Sequence, residues 1–168
     1  MTERPVAFVF GSDGDVPTFE DAFAVLTRLE IGYHVRVLSA HRSPEEAASF
    51  ARDAERNGIR VLIGGAGMAA HLAGALAAHS LVPVLGVPVD SGPLHGQDAL
   101  LATVMMPPGT PVGTLGIGKS GATNAALLAA RILALSDAAL AQRLKEARNA
   151  EREKTLAKDR AIRDRFGC

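Results

Sequence analysis

The chain has 168 residues, of which 48% are hydrophobic and 21% charged, and its 18 Lys plus Arg balance 18 Asp plus Glu. A chain of this length buries a full core, its composition is that of an ordered globular protein, and its zero net charge offers no global field to nucleic acid or an anionic membrane. No signal peptide opens it, its most apolar later stretch (Ala125 to Leu135) carries Arg131 and is too short to span a bilayer, and its one cysteine, Cys168, excludes an intrachain disulfide or Cys-based zinc site, so a cytoplasmic chain is expected.

In chain order, the first predicted strand is Val6 to Phe10, and Gly11-Ser12-Asp13-Gly14-Asp15 turns from it into a helix whose apolar face carries Phe19, Phe23, Leu26 and Leu29. A second strand, His34 to Leu38, runs into Ser39-Ala40-His41-Arg42. Ser43-Pro44 then reads as the N-cap and first residue of a helix containing Phe50, Ala51 and Ala54. Val61 to Gly64 is the third strand, Gly64-Gly65-Ala66-Gly67 reads as its exit turn, and Leu72, Leu76 and Ala77 mark the next helix. A fourth strand, Val84 to Val87, leads into turn-rich segments at Pro88 to Gly92 and Met106 to Pro111. The fifth, Gly113 to Ile117, precedes a helix from Lys119 to Leu135.

Near-continuous apolar strands alternating with amphipathic helices predict an α/β domain: a doubly wound parallel sheet in three layers. The domain is expected over residues 1–136. A charged C-terminal helical extension, residues 137–168, follows Ser136-Asp137 and either belongs to the same domain or packs on a neighbouring subunit.

Four of the turns lie where a strand feeds a helix, the edge at which open α/β sheets bind ligands. The glycines of the first turn let the backbone approach a ligand, and the helix start offers unpaired N–H groups to an anion. Ser12 can donate to phosphate and Asp15 can accept from ribose hydroxyls; equally, the pair reads as a turn residue and an N-cap. The segment lacks the GK[ST] ending of a P-loop and the G-x-G-x-x-G spacing of a dinucleotide site. In the second turn Arg42 can grip phosphate with several donors, while His41 can exchange a proton near neutral pH. His71 falls in the first turn of the helix after the third strand, as a pocket residue or a satisfied polar one. Lys119 reads either as a pocket-closing or as a surface residue. His34, His79 and His95 look incidental, and the five histidines are spread singly, without metal-ligand spacing, so no metal is expected.

Several separated segments agree with one family: GSDGD at 11–15, SAHRSP at 39–44, GAGMAAHLAG at 65–74, VPVLGVPVDS at 82–91, LHGQDALL at 94–101 and MPPGTPVGTLGIGKSGATNAALLAA at 106–130. The chain resembles the small phosphoribosylaminoimidazole carboxylases of purine biosynthesis, in their N5-carboxyaminoimidazole ribonucleotide mutase branch. The sister branch, which carboxylates aminoimidazole ribonucleotide directly with carbon dioxide, reads SAHK and AGRSN where this chain has Arg42 and Gly65-Ala66-Gly67 with His71. The resemblance implies a flavodoxin-like sandwich assembled as a homo-octamer and acting on a small ribonucleotide, with no cofactor. It implies that His41 transfers the proton, that Ser12, Asp15 and Arg42 bind substrate, and that Ser39, Gly67, Ala70, His71 and Leu72 complete the pocket wall. Gly14, Met68 and Ala73 depart from the family's usual Ser, Gly and Pro. A direct carboxylase and a non-catalytic nucleotide-binding homologue are the competing readings.

Overall fold

A computed structural model describes residues 3–167. Five parallel strands, β1 (Val6–Phe10), β2 (Tyr33–Val37), β3 (Val61–Gly67), β4 (Val84–Val89) and β5 (Gly113–Thr114), form one sheet in the order β2-β1-β3-β4-β5. That is the flavodoxin-like order, in which the winding direction reverses between β1 and β3. The helices are α1 (Glu20–Arg28), α2 (Pro44–Asp53), α3 (Leu72–His79), α4 (Gln97–Val104), α5 (Gly118–Leu133) and α6 (Ala138–Phe166).

Because successive strand residues point to opposite faces, β1 supplies two cores. Val6, Phe8 and Phe10 pack with α1 and α5 through Ala22, Val25, Leu26, Ala122, Ala125, Ala126 and Ala129. Ala7 and Val9 face the other way, toward Ala47, Ala51, Leu72, Ala73 and Leu76 of α2 and α3. The row of alanines on α5 lets that helix lie close to the sheet, so its partners are large: Phe8 meets Phe23 edge-on at 4.9 Å between ring centroids, and Phe10 meets Phe19 at 4.7 Å.

Several expected elements have different bounds, each for a packing reason. The turn expected at Gly64-Gly65-Ala66-Gly67 is strand: β3 continues to Gly67, paired with Val89. Glycine serves there as a flat strand surface. A Cβ on Gly65 would lie 2.5 Å from Cζ of Phe19, and one on Gly64 would lie 3.1 Å from Cα of Ala73. The fifth strand is only two residues, because after Leu115 donates to the Gly86 carbonyl the chain leaves the sheet to pass beneath Gly121. β2 is an edge strand whose Val35 and Val37 are exposed, so it is not covered on both faces as its apolar run suggests. A 3-10 helix, Asp13–Phe19, precedes α1, and α4 forms between the two turn-rich segments, where no element is expected. The tail is one 29-residue helix, anchored through buried Leu140 and by Arg143 Nε, which donates to the Leu29 carbonyl at 3.0 Å.

Gly121 gives the packing a test with an informative sign. In an unconstrained helix, Gly→Ala stabilises by about 1 kcal/mol. Here an added Cβ would overlap the Gly116 carbonyl, backbone that has no rotamer by which to retreat. Gly121→Ala is therefore expected to lower unfolding stability by about 1–3 kcal/mol, measured by urea denaturation at one fixed protein concentration.

Candidate functional site

The carboxyl ends of β1 and β3 lead to helices on opposite faces, which opens a crevice at the reversal point. Gly11 still donates to the Gly65 carbonyl at 3.1 Å, and Ser12 then becomes the N-cap of the 3-10 helix. The Ser12 hydroxyl accepts from the Gly14 N–H at 3.3 Å, while the Ser12 N–H donates to Oδ2 of Asp15 at 3.0 Å. This reciprocal arrangement is a capping box, with Ser12, not Asp15, as the cap. Asp15 is only 8% exposed, and burial raises its pKa above the ordinary 3.8. The Ser12 N–H opposes that shift, Asp13 adds to it and Arg42 opposes it again.

After β2, one hydroxyl organises the loop. Ser39 Oγ accepts from the N–H groups of His41 at 3.3 Å and Arg42 at 3.2 Å. Ser39 in turn donates its N–H to Ser43 Oγ at 2.9 Å, which occupies the hydroxyl expected to cap α2. The loop is pinned to its neighbour by Arg42 Nη2, which donates to the Gly11 carbonyl at 2.9 Å. His71 stands one residue before α3, at its N-cap, where its Nδ1 lies 2.9 Å from His41 Nε2 with the rings edge to face at 82°. One of these two nitrogens must donate and the other accept, so the contact holds a single proton.

These loops enclose a cavity of about 710 Å³. Seven predicted site residues, Ser12, Asp15, Ser39, His41, Arg42, Gly67 and Leu72, stand in its wall. His71 reaches it through His41, whereas Ala70 is buried beneath and accepts from Thr103 Oγ1 at 3.5 Å. Lys119 is exposed in the first turn of α5 and outside the wall. The wall also includes Ala66 and Ala69, which belong to the matching GAGMAAH segment, and Ala40 and Ser91, which were not singled out as site residues. Ser91 was signalled by the turn after β4; the alanines carry no chemical signal at all. Among the described residues no group of three or more His, Cys, Asp or Glu is placed to hold a metal ion.

Two of the departures from the family pattern also meet the cavity. Gly14 has an ordinary backbone and room for a side chain, the nearest atom to an added Cβ being Ser12 Oγ at 3.7 Å. Met68 has φ of 52°, in the left-handed region that disfavours any side chain with a Cβ, and packs over Gly92 at the rim. Met68→Gly is expected to leave stability unchanged or raise it by up to about 1 kcal/mol, since relief of the left-handed penalty is partly offset by glycine's larger entropy in the unfolded chain. Thermal unfolding measures this, and a clear loss of stability would mean that the side chain's packing outweighs its strain.

Asp15 gives a prediction in pH. Its folded pKa lies above its unfolded one, so the folded chain keeps that proton longer, and stability contributed by the site falls as pH rises from the unfolded value through the folded one. Asp15→Asn keeps an oxygen that can accept from Ser12 and removes the charge. The stability of Asp15→Asn relative to the parent is expected to be more favourable at about pH 7 than at about pH 4, read from denaturation curves at the two pH values.

Comparison with known proteins gives one consistent result. The family model described as AIR carboxylase matches residues 5–154. The N5-carboxyaminoimidazole ribonucleotide mutase of Escherichia coli K12 is 54% identical over 151 residues, covering 90% of this chain and 89% of that protein. The protein of the same name from Pyrococcus abyssi is 50% identical over 143 residues, covering 85% and 81%. The crystal structure of Treponema denticola PurE superposes with a TM-score of 0.84 at 26% identity, over 94% of this chain and 97% of that one.

Proposed function

The chain belongs to the AIR carboxylase family, and from its site we propose that it is an isomerase of purine biosynthesis, converting N5-carboxyaminoimidazole ribonucleotide to 4-carboxy-5-aminoimidazole ribonucleotide. The observation that carries this reading is the joining of an anion grip to a proton carrier in one cavity: Arg42 is tied to the Ser12 loop, and the adjacent His41 is paired with His71.

The ribonucleotide phosphate binds at Ser12 and Arg42, and buried Asp15 accepts from a ribose hydroxyl. This remote binding energy fixes the base against Gly67, Leu72 and the β3 exit. The carbamate N–C bond breaks readily, so the demanding task is to keep the released carbon dioxide beside C4. Confinement of the two fragments replaces an encounter from solvent, an advantage that reaches about 7–11 kcal/mol in well-oriented systems. His41 delivers a proton to the departing nitrogen. After the new C4–C bond forms, it takes the C4 proton, which restores the aromatic ring and returns His41 to its starting state. His71 holds the His41 ring at 2.9 Å and fixes which nitrogen carries the proton between the two steps.

The same reading has the chain act in the cytoplasm as a homo-octamer. Its support is an apolar surface unusual for an isolated chain: Leu81 is 100% exposed, Met105 78% and Leu101 61%. Light scattering of the purified protein is expected to return the mass of eight chains.

For the activity, the purified protein is mixed with N5-carboxyaminoimidazole ribonucleotide and the isomerisation followed by absorbance. His41→Asn is expected to lower kcat by about 100-fold or more, with the nucleotide still bound. Arg42→Ala is expected to act chiefly on KM. Efficient use of aminoimidazole ribonucleotide plus carbon dioxide would instead indicate the direct carboxylase, and unimpaired turnover by His41→Asn would remove the role given to that residue.

A further inference from the structure

A second concavity, of about 650 Å³, lies at the amino ends of the strands, the edge opposite the candidate site. Arg4 and Pro5 immediately precede β1, His34 is the second residue of β2, and Asn57 and Arg60 lie in the segment entering β3. The segments are locked together by one acceptor: the Pro5 carbonyl takes the N–H groups of both Arg60 at 2.7 Å and Val61 at 3.1 Å. A Cβ on Gly32 would overlap the Glu3 carbonyl, so the chain just before Arg4 lies flat on the β2 entry. Both guanidiniums are therefore carried by backbone fixed in place.

Neither the Arg4 nor the Arg60 side chain has an ion pair or hydrogen bond among the described residues. The one carboxylate in the wall, Glu3, leaves the two arginines in excess. His34, in the same wall, senses the charge of Arg4. Its imidazole is held below its ordinary value first by burial, then by repulsion from Arg4 and Arg36. On a chain of zero net charge, such a local excess of positive charge within a hollow requires a cause.

We propose that this concavity is a binding site for a small phosphate-bearing anion, clamped between the Arg4 and Arg60 guanidiniums beside the Asn57 amide. Planar forks arriving from two segments match the oxygens of a phosphate group, and a hollow of this volume accommodates a small organic phosphate. Pro5 is the one wholly apolar side chain among the lining residues, and the charged and polar groups around it suit a phosphate. A nucleic-acid strand or a bilayer would call for an extended basic face, and the chain's balanced charge does not supply one. The site does not depend on the activity proposed above.

The test counts sites per chain by equilibrium dialysis at low salt, with pyrophosphate and ribose 5-phosphate as separate probes. Arg42→Ala, which weakens the candidate active site, is used as the parent so that the second site is read alone. One saturable site per chain is expected for at least one probe, and the probe bound identifies an inorganic or an esterified phosphate as the ligand. Adding Arg4→Gln and Arg60→Gln is expected to weaken that site at least tenfold while circular dichroism stays unchanged. Should the glutamine variant fail to fold, Arg4→Lys with Arg60→Lys keeps the charge and removes the forks, and a several-fold weakening is expected. If Arg42→Ala leaves two sites, the role given to Arg42 fails, and the loss of one site on changing Arg4 and Arg60 still reads the second. Absence of saturable binding of both probes, or variants at Arg4 and Arg60 that bind as tightly as their parent, would overturn the proposal.

Discussion

The approach of side chains to the bare backbone of β3 is the constraint on which the rest depends. Phe19 lies over Gly65 from one face, too close to admit a Cβ there, and Ala73 lies against Gly64 from the other, where a Cβ would fit only if the helix gave by a few tenths of an ångström. Gly86 on β4 extends the flat surface, since an added Cβ there would sit 2.9 Å from Val112 and 3.2 Å from Ala73. Two layers thus converge on the middle of the sheet with no side-chain thickness between them. Phe19 closes the 3-10 helix that begins at Ser12, and Ala73 sits two residues beyond His71. The same contacts that seal the core consequently place the Ser12 loop and the His71 cap on either side of one crevice.

That placement gives the cavity two ends with different chemistry. At one, the capping box fixes Ser12 and Asp15, and Arg42 donates across to Gly11, so the loops after β1 and β2 move as one piece. At the other, the two histidine rings are joined by one hydrogen bond. Ser39 joins them, because its hydroxyl accepts from the N–H groups of both His41 and Arg42 and so sets the direction of both side chains. An error in the Ser39 loop would misplace His41 and Arg42 together. Asp15 stands at the Arg42 end: burial opposes its charge, while the Ser12 N–H and, to a lesser degree, Arg42 favour it.

The fold was legible in the sequence where hydrophobic period alone decides it, as in Val6–Phe10, the α2 face and the long helix after Gly118. It was illegible where glycine has two meanings. The run at residues 64–67 carries the composition of a turn, and only the positions of Phe19 and Ala73, far away in sequence, make it strand. α4 was missed for a related reason: its buried side chains are few, Ala99 and Thr103, so the segment carries little apolar period. In the site, residues with distinctive chemistry were legible one by one, whereas small ones were legible only as parts of a segment. His41, Arg42, Ser12 and Asp15 announce themselves by type and by position after a strand, whereas Ala40, Ala66 and Ala69 line the cavity only because the backbone passes there. The pairing of His41 with His71, 30 residues apart, depends on β2 and β3 flanking β1, which no local pattern encodes.

Met68 shows how the two kinds of information combine. A methionine in a glycine-rich segment reads as an interruption, and its left-handed backbone confirms that glycine would suit the position better. Yet the strain is confined to one residue: the neighbouring Gly67 remains in register with Val89, and Ala70 donates to the Met68 carbonyl at 2.8 Å to close the turn. The residue is 56% exposed and its side chain leans on Gly92. The departure from the family pattern therefore alters the rim of the cavity and the stability of one turn, while Ser12, Asp15, His41 and Arg42 keep their supports from the loops after β1 and β2.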